Sequence, residues 1–269
     1  MHTLDGQLVD AVPVELALCP FGVFTTFVAV DGGVLGWDDH VARLTRDAQA
    51  LWGHEVDGTR LRAAVGAHLD AVAAPATVRV TLYPEVLSVA SPGEARGCRV
   101  LVSSRPTRFP FAPETVAVRS VEHERESAEM KTTALLMQVR LRREAQLAGY
   151  DDVVFRRGAD VREGATWTVL SWRDGEVASP VDGVLESITA AHVCRLAEDR
   201  GWRVSRRVVR LDELRRAGLV LAVNANAPAR AVRRLDGADL AVDEDLLGEL
   251  AAAYSALPRD LVAGARPPA

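Results

Sequence analysis

One residue type is nearly missing from this sequence of 269 residues, and the exception is the best candidate for chemistry. Of its 32 basic residues, 31 are arginine and one is lysine, Lys131. A coding bias that replaces lysine wherever either cation serves would explain the arginine excess. Arginine keeps its proton and cannot attack as an amine. A lysine whose site lowers its pKa forms imines with carbonyl compounds, so the one retained amine is a candidate for covalent catalysis.

Four other places along the chain carry charged or polar groups that could meet a ligand, each with an ordinary local reading beside it. Arg43, in Asp39-His40-Val41-Ala42-Arg43-Leu44, offers the bidentate guanidinium fit to phosphate; the plainer alternative is a helical pair with Asp39 or Asp47, worth about 0.2–0.5 kcal/mol. Glu163 follows Lys131 by 32 residues and, after Arg156, Arg157 and Arg162, reads locally as an acid in a charged turn. Ile188 and Thr189 open a helix, where unpaired N–H groups and the dipole attract phosphate, although Ser187 or Thr189 also serves as an ordinary cap. Asn224-Ala225-Asn226-Ala227-Pro228 is a polar turn with the same capacity.

Other chemistries find no support. There is no H-E-x-x-H, no G-x-S-x-G and no glycine-rich loop ending in Lys-Ser/Thr, and His123 among Glu122, Glu124 and Glu126 reads as a solvated charge cluster. Cys19, Cys98 and Cys194 are odd in number and far apart, which argues against a disulfide framework and a zinc knuckle. A net charge of −5 leaves no footprint for nucleic acid. No apolar run approaches the roughly 20 residues that cross a bilayer, and the first residues lack a signal pattern. A small-molecule substrate and a reducing cytoplasm are expected.

These residues must be positioned by alternating strands and helices. Strands are expected at 22–30, 76–83, 98–104, 115–121, 152–157, 166–172, 176–179, 203–210, 219–224 and 229–235. Asp31-Gly32-Gly33 is a hairpin turn. Asp38 is expected to cap a helix through Trp52, with Val41, Leu44, Ala48 and Leu51 on one face. Further helices are expected at 59–73, from Lys131 to Ala148, at 188–199 and at 243–256. The proline-dense stretch 105–113 is a loop or connection, and the last residues, 264–269, read as a disordered tail.

Taken in order, the H-x-x-R-L run at Arg43, Lys131, Glu163-Gly164-Ala165-Thr166-Trp167-Thr168 and Gly183-Val184-Leu185-Glu186-Ser187-Ile188-Thr189 resemble the class IV (fold type IV) pyridoxal-phosphate enzymes. That family includes branched-chain aminotransferases, D-amino-acid aminotransferases and aminodeoxychorismate lyases. The resemblance spans Gly22 to Gly237. It implies an α/β (α+β) fold of two domains, 1–112 and 119–269 joined by 113–118, with pyridoxal 5'-phosphate between them and a homodimer completing the site. It implies that Lys131, on the second domain, is the catalytic Schiff-base lysine. By the same resemblance, Arg43, Ile188, Thr189, Ala225 and Asn226 would hold the cofactor phosphate, and Glu163 would keep the pyridine nitrogen protonated. Arg79, Arg105 and Arg108 are candidates for a substrate carboxylate. Two positions depart from the family: Thr168 stands where Asn is usual, and Leu136 where aminotransferases commonly have Tyr.

The function implied is transfer of an amino group between an amino acid and a keto acid. The alternative is the lyase reaction giving 4-aminobenzoate and pyruvate, toward which the Asn-Ala-x-Ala-Pro run leans. A third reading, motivated by Thr168 and Leu136, is a non-catalytic binding protein on the same scaffold. No nucleic acid or membrane partner is expected.

Overall fold

The structure, a computed structural model, describes residues 1–11 and 18–264. The expected disordered tail lies, beyond Gly264, outside the described residues. The chain divides into two compact units.

The first unit comprises 1–109, 130–134 and 258–269. Its sheet contains β1 (His2–Leu4), β2 (Gln7–Leu8), β3 (Val23–Val30), β4 (Gly33–Val34), β5 (Ala76–Tyr83) and β6 (Arg99–Pro106), with β16 (Asp260–Leu261) at one edge, in the order β16-β4-β3-β5-β6-β1-β2. The β3–β4 hairpin turns as expected, on Asp31 and Gly32, both at positive φ (49° and 74°), the geometry that matches strand twist.

Two helices, α1 (Trp37–Trp52) and α2 (Gly58–Asp70), cover one face of this sheet. Alternate strand residues point to opposite faces, so Val23, Phe27, Val78, Val80, Val100 and Val102 form a core with Leu44, Ala48, Leu61 and Val65. The other face carries Phe24, Arg79, Thr81 and Ser103. The α1 start differs from expectation: Gly36 takes the N-cap position and Asp38 lies inside the first turn. The N–H of Trp37 is met instead by Asp260 Oδ2 at 2.9 Å, a cap delivered from the far end of the chain.

His68, on α2, is fully buried and hydrogen-bonded through Nδ1 to Thr3 Oγ1 at 2.8 Å. Burial first, then the terminal ammonium and His2, hold its pKa down at about 4. Between that value and the ordinary 6.5 the unfolded chain binds the proton and the folded one does not, so stability rises with pH through this window. The contribution is complete above about pH 6.5 and is lost on acidification toward pH 4; the shift corresponds to about 3 kcal/mol. Urea midpoints at about pH 7 and about pH 4.5 should show this loss in the wild type and much less of it in His68→Gln.

The second unit comprises 110–129 and 135–257. Its strands are β7 (Glu114–Glu122), β8 (Asp152–Arg157), β9 (Asp160–Gly164), β10 (Thr168–Arg173), β11 (Glu176–Ser179), β12 (Arg203–Arg206), β13 (Leu219–Val223), β14 (Arg230–Leu235) and β15 (Ala238–Asp239). They run β12-β11-β10-β13-β14-β7-β8-β9, with β15 on β14, and β7 is parallel to both its neighbours. The helices are α3 (Leu136–Leu147), α4 (Ile188–Glu198), α5 (Leu211–Arg215) and α6 (Glu244–Ala256). Ser187 and Asp243 cap α4 and α6 through their side chains.

Three local expectations are corrected. Residues 203–210 are not one strand: β12 ends at Arg206 and α5 follows, opened by a Glu213 carboxylate that accepts from the Arg210 N–H. Residues 160–164 form a strand rather than a charged turn. Lys131 does not begin a helix. Its carbonyl accepts from Phe24 N–H (2.8 Å), Thr133 N–H donates to the Gly22 carbonyl (2.8 Å), and Thr132 bridges Val23. Residues 131–133 thus extend the first sheet beside β3, on the side where β4 pairs farther along, and α3 starts only at Leu136. The two β-branched threonines suit that extended path. Lys131 therefore sits in the first unit, whereas the expected division put it on a domain of residues 119–269.

Candidate functional site

In the first unit, α1 and the extended segment at 131 bring several charged groups together. Arg43 and Asp47 lie one helical turn apart on α1, and both are buried, Asp47 completely. Asp47 Oδ2 accepts from the backbone N–H of Lys131 at 2.9 Å, and its Oδ1 accepts from Arg46 Nε at 3.0 Å. The Lys131 Nζ lies 4.8 Å from the centroid of the Phe24 ring, and the Arg79 guanidinium carbon lies 3.7 Å from the same centroid. Arg79 is half-buried, its Nε donates to Thr81 Oγ1 at 3.3 Å, and burial lowers its pKa. Arg105 and Arg108 are exposed.

In the second unit, Glu163 is a buried acid in β9, with residue exposure of 5%. Oε1 accepts from Arg125 Nε at 2.6 Å and Oε2 from the N–H of Leu185 at 3.1 Å. The Leu185 contact sets Glu163 beside the segment leading into α4. There Ser187 Oγ accepts from Ala190 N–H, while Ile188 and Thr189 contribute first-turn N–H groups that have no acceptor within the helix. Thr189 is buried and Ile188 half-buried. Gly164, next to Glu163, has to be glycine: a Cβ there would lie 1.9 Å from the Trp167 indole.

The turn at 224–227 adjoins the same region through Asn224 Nδ2, which donates to the Thr166 carbonyl at 3.5 Å. Asn224 Oδ1 accepts from the N–H groups of both Asn226 and Ala227. Of the two amides expected to meet phosphate, that of Asn226 is thus drawn into the turn itself, and that of Ala225 is not. Thr168 is buried at the start of β10, while Leu136 is 78% exposed.

Sequence reading missed Asp47 and Arg125 as functional residues. Asp47 had a signal: it falls on the stripe of α1 with Trp37, His40, Leu44 and Ala48, where an acid is out of place unless it is paired. Arg125 had none, because only folding shows that it faces Glu163.

The donor set fits pyridoxal phosphate group by group: an amine for its aldehyde, a buried guanidinium and helix N–H groups for its phosphate, and a buried carboxylate for its ring nitrogen. The buried position of Glu163 carries this test, since a surface acid would make a poor partner for a ring nitrogen. Among the described residues no cluster of His, Cys, Asp and Glu is arranged to hold a metal, and no helix is long and apolar enough to cross a membrane.

Comparison with known proteins agrees. The family described as amino-transferase class IV matches residues 22–235. A search of curated proteins found no match. Similar solved structures include a fold IV-transaminase from Curtobacterium pusillum, at 24% identity and TM-score 0.79, covering 92% of this chain and 89% of that one. A branched-chain aminotransferase from Thermoproteus uzoniensis matches at 24% and 0.82, covering 94% and 92%. A structure described as a putative 4-amino-4-deoxychorismate lyase from Legionella pneumophila matches at 17% and 0.79, covering 93% and 96%. The fold type IV architecture expected from the sequence is borne out.

Proposed function

Because the chain belongs to the class IV aminotransferase family, we propose that it uses pyridoxal 5'-phosphate to move an amino group between an amino acid and a keto acid, with Lys131 as the catalytic residue. The observation that carries the assignment of Lys131 is its placement. The sole amine side chain capable of this chemistry stands on a segment tied to both the β3 edge and α1, one turn from the buried Arg43.

Lys131 Nζ, Arg43, Glu163, Ile188, Thr189 and Ala225 would hold the cofactor. Asn226 contributes to the shape of the Asn224 turn. Bound pyridoxal phosphate supplies an electron sink for the charge left when the substrate's Cα loses its proton. Lys131 Nζ would hold the cofactor by its aldehyde carbon and, as a free amine, would take the proton from the substrate's Cα and return one. Arg43 and the first-turn amides of α4 neutralise the phosphate. Glu163, fixed on both oxygens, holds a proton on the ring nitrogen. Arg79, half-buried beside Phe24, binds the substrate carboxylate, a role for which the exposed Arg105 and Arg108 are less suited.

We place the enzyme in the cytoplasm, in keeping with three free cysteines, of which burial pushes the Cys98 and Cys194 thiols up to about 11. A homodimer is the proposed working form. Leu136, Val139 and Leu147 are exposed on one stripe of α3 and offer apolar surface to a second copy.

The lyase remains the second reading, favoured by the Asn224–Pro228 run. The deciding experiment mixes the protein with pyridoxal phosphate, records its absorption, reduces it with borohydride and maps the modified residue, then follows products from amino donors. Label on Lys131 with transfer to a keto-acid acceptor supports the proposal. Pyruvate release from aminodeoxychorismate without an acceptor selects the lyase. A colourless, unlabelled protein in excess cofactor overturns both.

A further inference from the structure

We propose that Asp47 is a positioning residue for Lys131, acting through the lysine's backbone rather than its amine. The inference rests on the reading of Lys131 as the cofactor-bearing residue. A carboxylate with no solvent exposure is costly to hold unless it is paired and hydrogen-bonded. Asp47 has both forms of support: Arg46 donates to Oδ1 from Nε at 3.0 Å and lies 2.8 Å away through Nη2, and the Lys131 N–H donates to Oδ2 at 2.9 Å.

An amide bonded to an ionised acceptor is held more tightly than one bonded to a neutral carbonyl. The other side of the lysine's backbone is fixed as well, since its carbonyl accepts from Phe24 N–H at 2.8 Å. Lys131 is therefore pinned at its N–H by a helix and at its carbonyl by a strand. The four-carbon side chain swings from a fixed origin, which limits the volume Nζ explores and raises its effective concentration at the reacting atoms. The charge has a reason to be on α1: Asp47 follows Arg43 by one turn, so one rigid helix sets the register between a buried guanidinium and the amine-bearing segment.

The single lysine makes the test direct. Full-length protein grown with ¹⁵N-lysine gives one backbone amide resonance, whose hydrogen exchange reports the clamp without any cofactor. In the wild type this amide should be protected. Asp47→Ala should speed its exchange tenfold or more, weaken binding of pyridoxal phosphate about tenfold or more, and lower kcat with a smaller change in KM for the amino donor. Asp47→Asn, whose carbonyl can still accept from the amide, should recover most of the protection and affinity.

If Asp47→Ala does not fold, Asp47→Ser takes its place, since its shorter hydroxyl does not reach the Lys131 amide. Rapid exchange of the Lys131 amide in the wild type would overturn the proposal, as would unchanged exchange and affinity in the Ala or Ser variant, or an Asn variant no better than Ala. A wild type that is never labelled at Lys131 by borohydride counts against the catalytic reading instead, and the amide data then stand on their own.

Discussion

Replacing Lys131 with arginine is expected to abolish amino-group transfer, with a loss of at least about 10²–10⁴-fold from proton transfer alone. The substitution keeps the positive charge and the long side chain, and it leaves untouched the backbone bonds to Asp47 and Phe24. The fold should therefore survive, with an unfolding midpoint close to that of the wild type. What disappears is an amine able to shed its proton. Because the variant contains no lysine at all, labelling mapped to a side chain should fall to zero, leaving only the terminal amine of Met1 to react. Transfer at a tenth or more of the wild-type rate in this variant would remove Lys131 from the chemistry.

The second large effect concerns Glu163. Glu163→Gln keeps the shape of the side chain but leaves the Arg125 guanidinium, with its side chain only 9% exposed, without its counter-charge. Breaking a buried pair from one side typically costs about 3–5 kcal/mol, because the remaining charge cannot return to water. Chemical denaturation should show a loss of that order. The double variant with Arg125→Met should recover much of it, since no charge is then stranded. Cofactor affinity should fall in both variants, as neither retains an anion for the ring nitrogen. A Gln variant within about 0.5 kcal/mol of the wild type would mean that solvent reaches the pair more freely than the structure indicates.

The sequence made the chemistry of this site more legible than its mounting. Lys131 stood out by composition, and Arg43, Glu163 and the Ser187-Ile188-Thr189 start came into order through the family resemblance. Most strands and helices were also readable, because the core is built on simple alternation, as in Val78, Val80 and Val100, Val102. Failures came where tertiary partners replaced local ones. The segment at Lys131 looked helical because α3 follows it directly, yet its backbone bonds run to Asp47 and Phe24, 84 positions away in the first case. The start of α1 was placed at Asp38 because the true partner of Trp37 N–H, Asp260, lies at the other end of the chain. Glu163 looked like a surface acid since nothing local reveals that Arg125 covers it. None of these partners leaves a periodic or nearest-neighbour signal.

That remote cap has a consequence for how the protein is made. A ribosome emits the chain in sequence order, and by Phe109 it has released most of the first unit. At that stage β4 lacks its neighbour β16, the first turn of α1 lacks Asp260, and the β3 edge lacks residues 131–133. The lysine arrives only after β7 has been synthesised, and Asp260 only after every element of the second unit has emerged. The first unit must therefore wait, partly assembled, while the residues of the second unit up to Leu257 are made, and its maturation is timed by the arrival of Asp260.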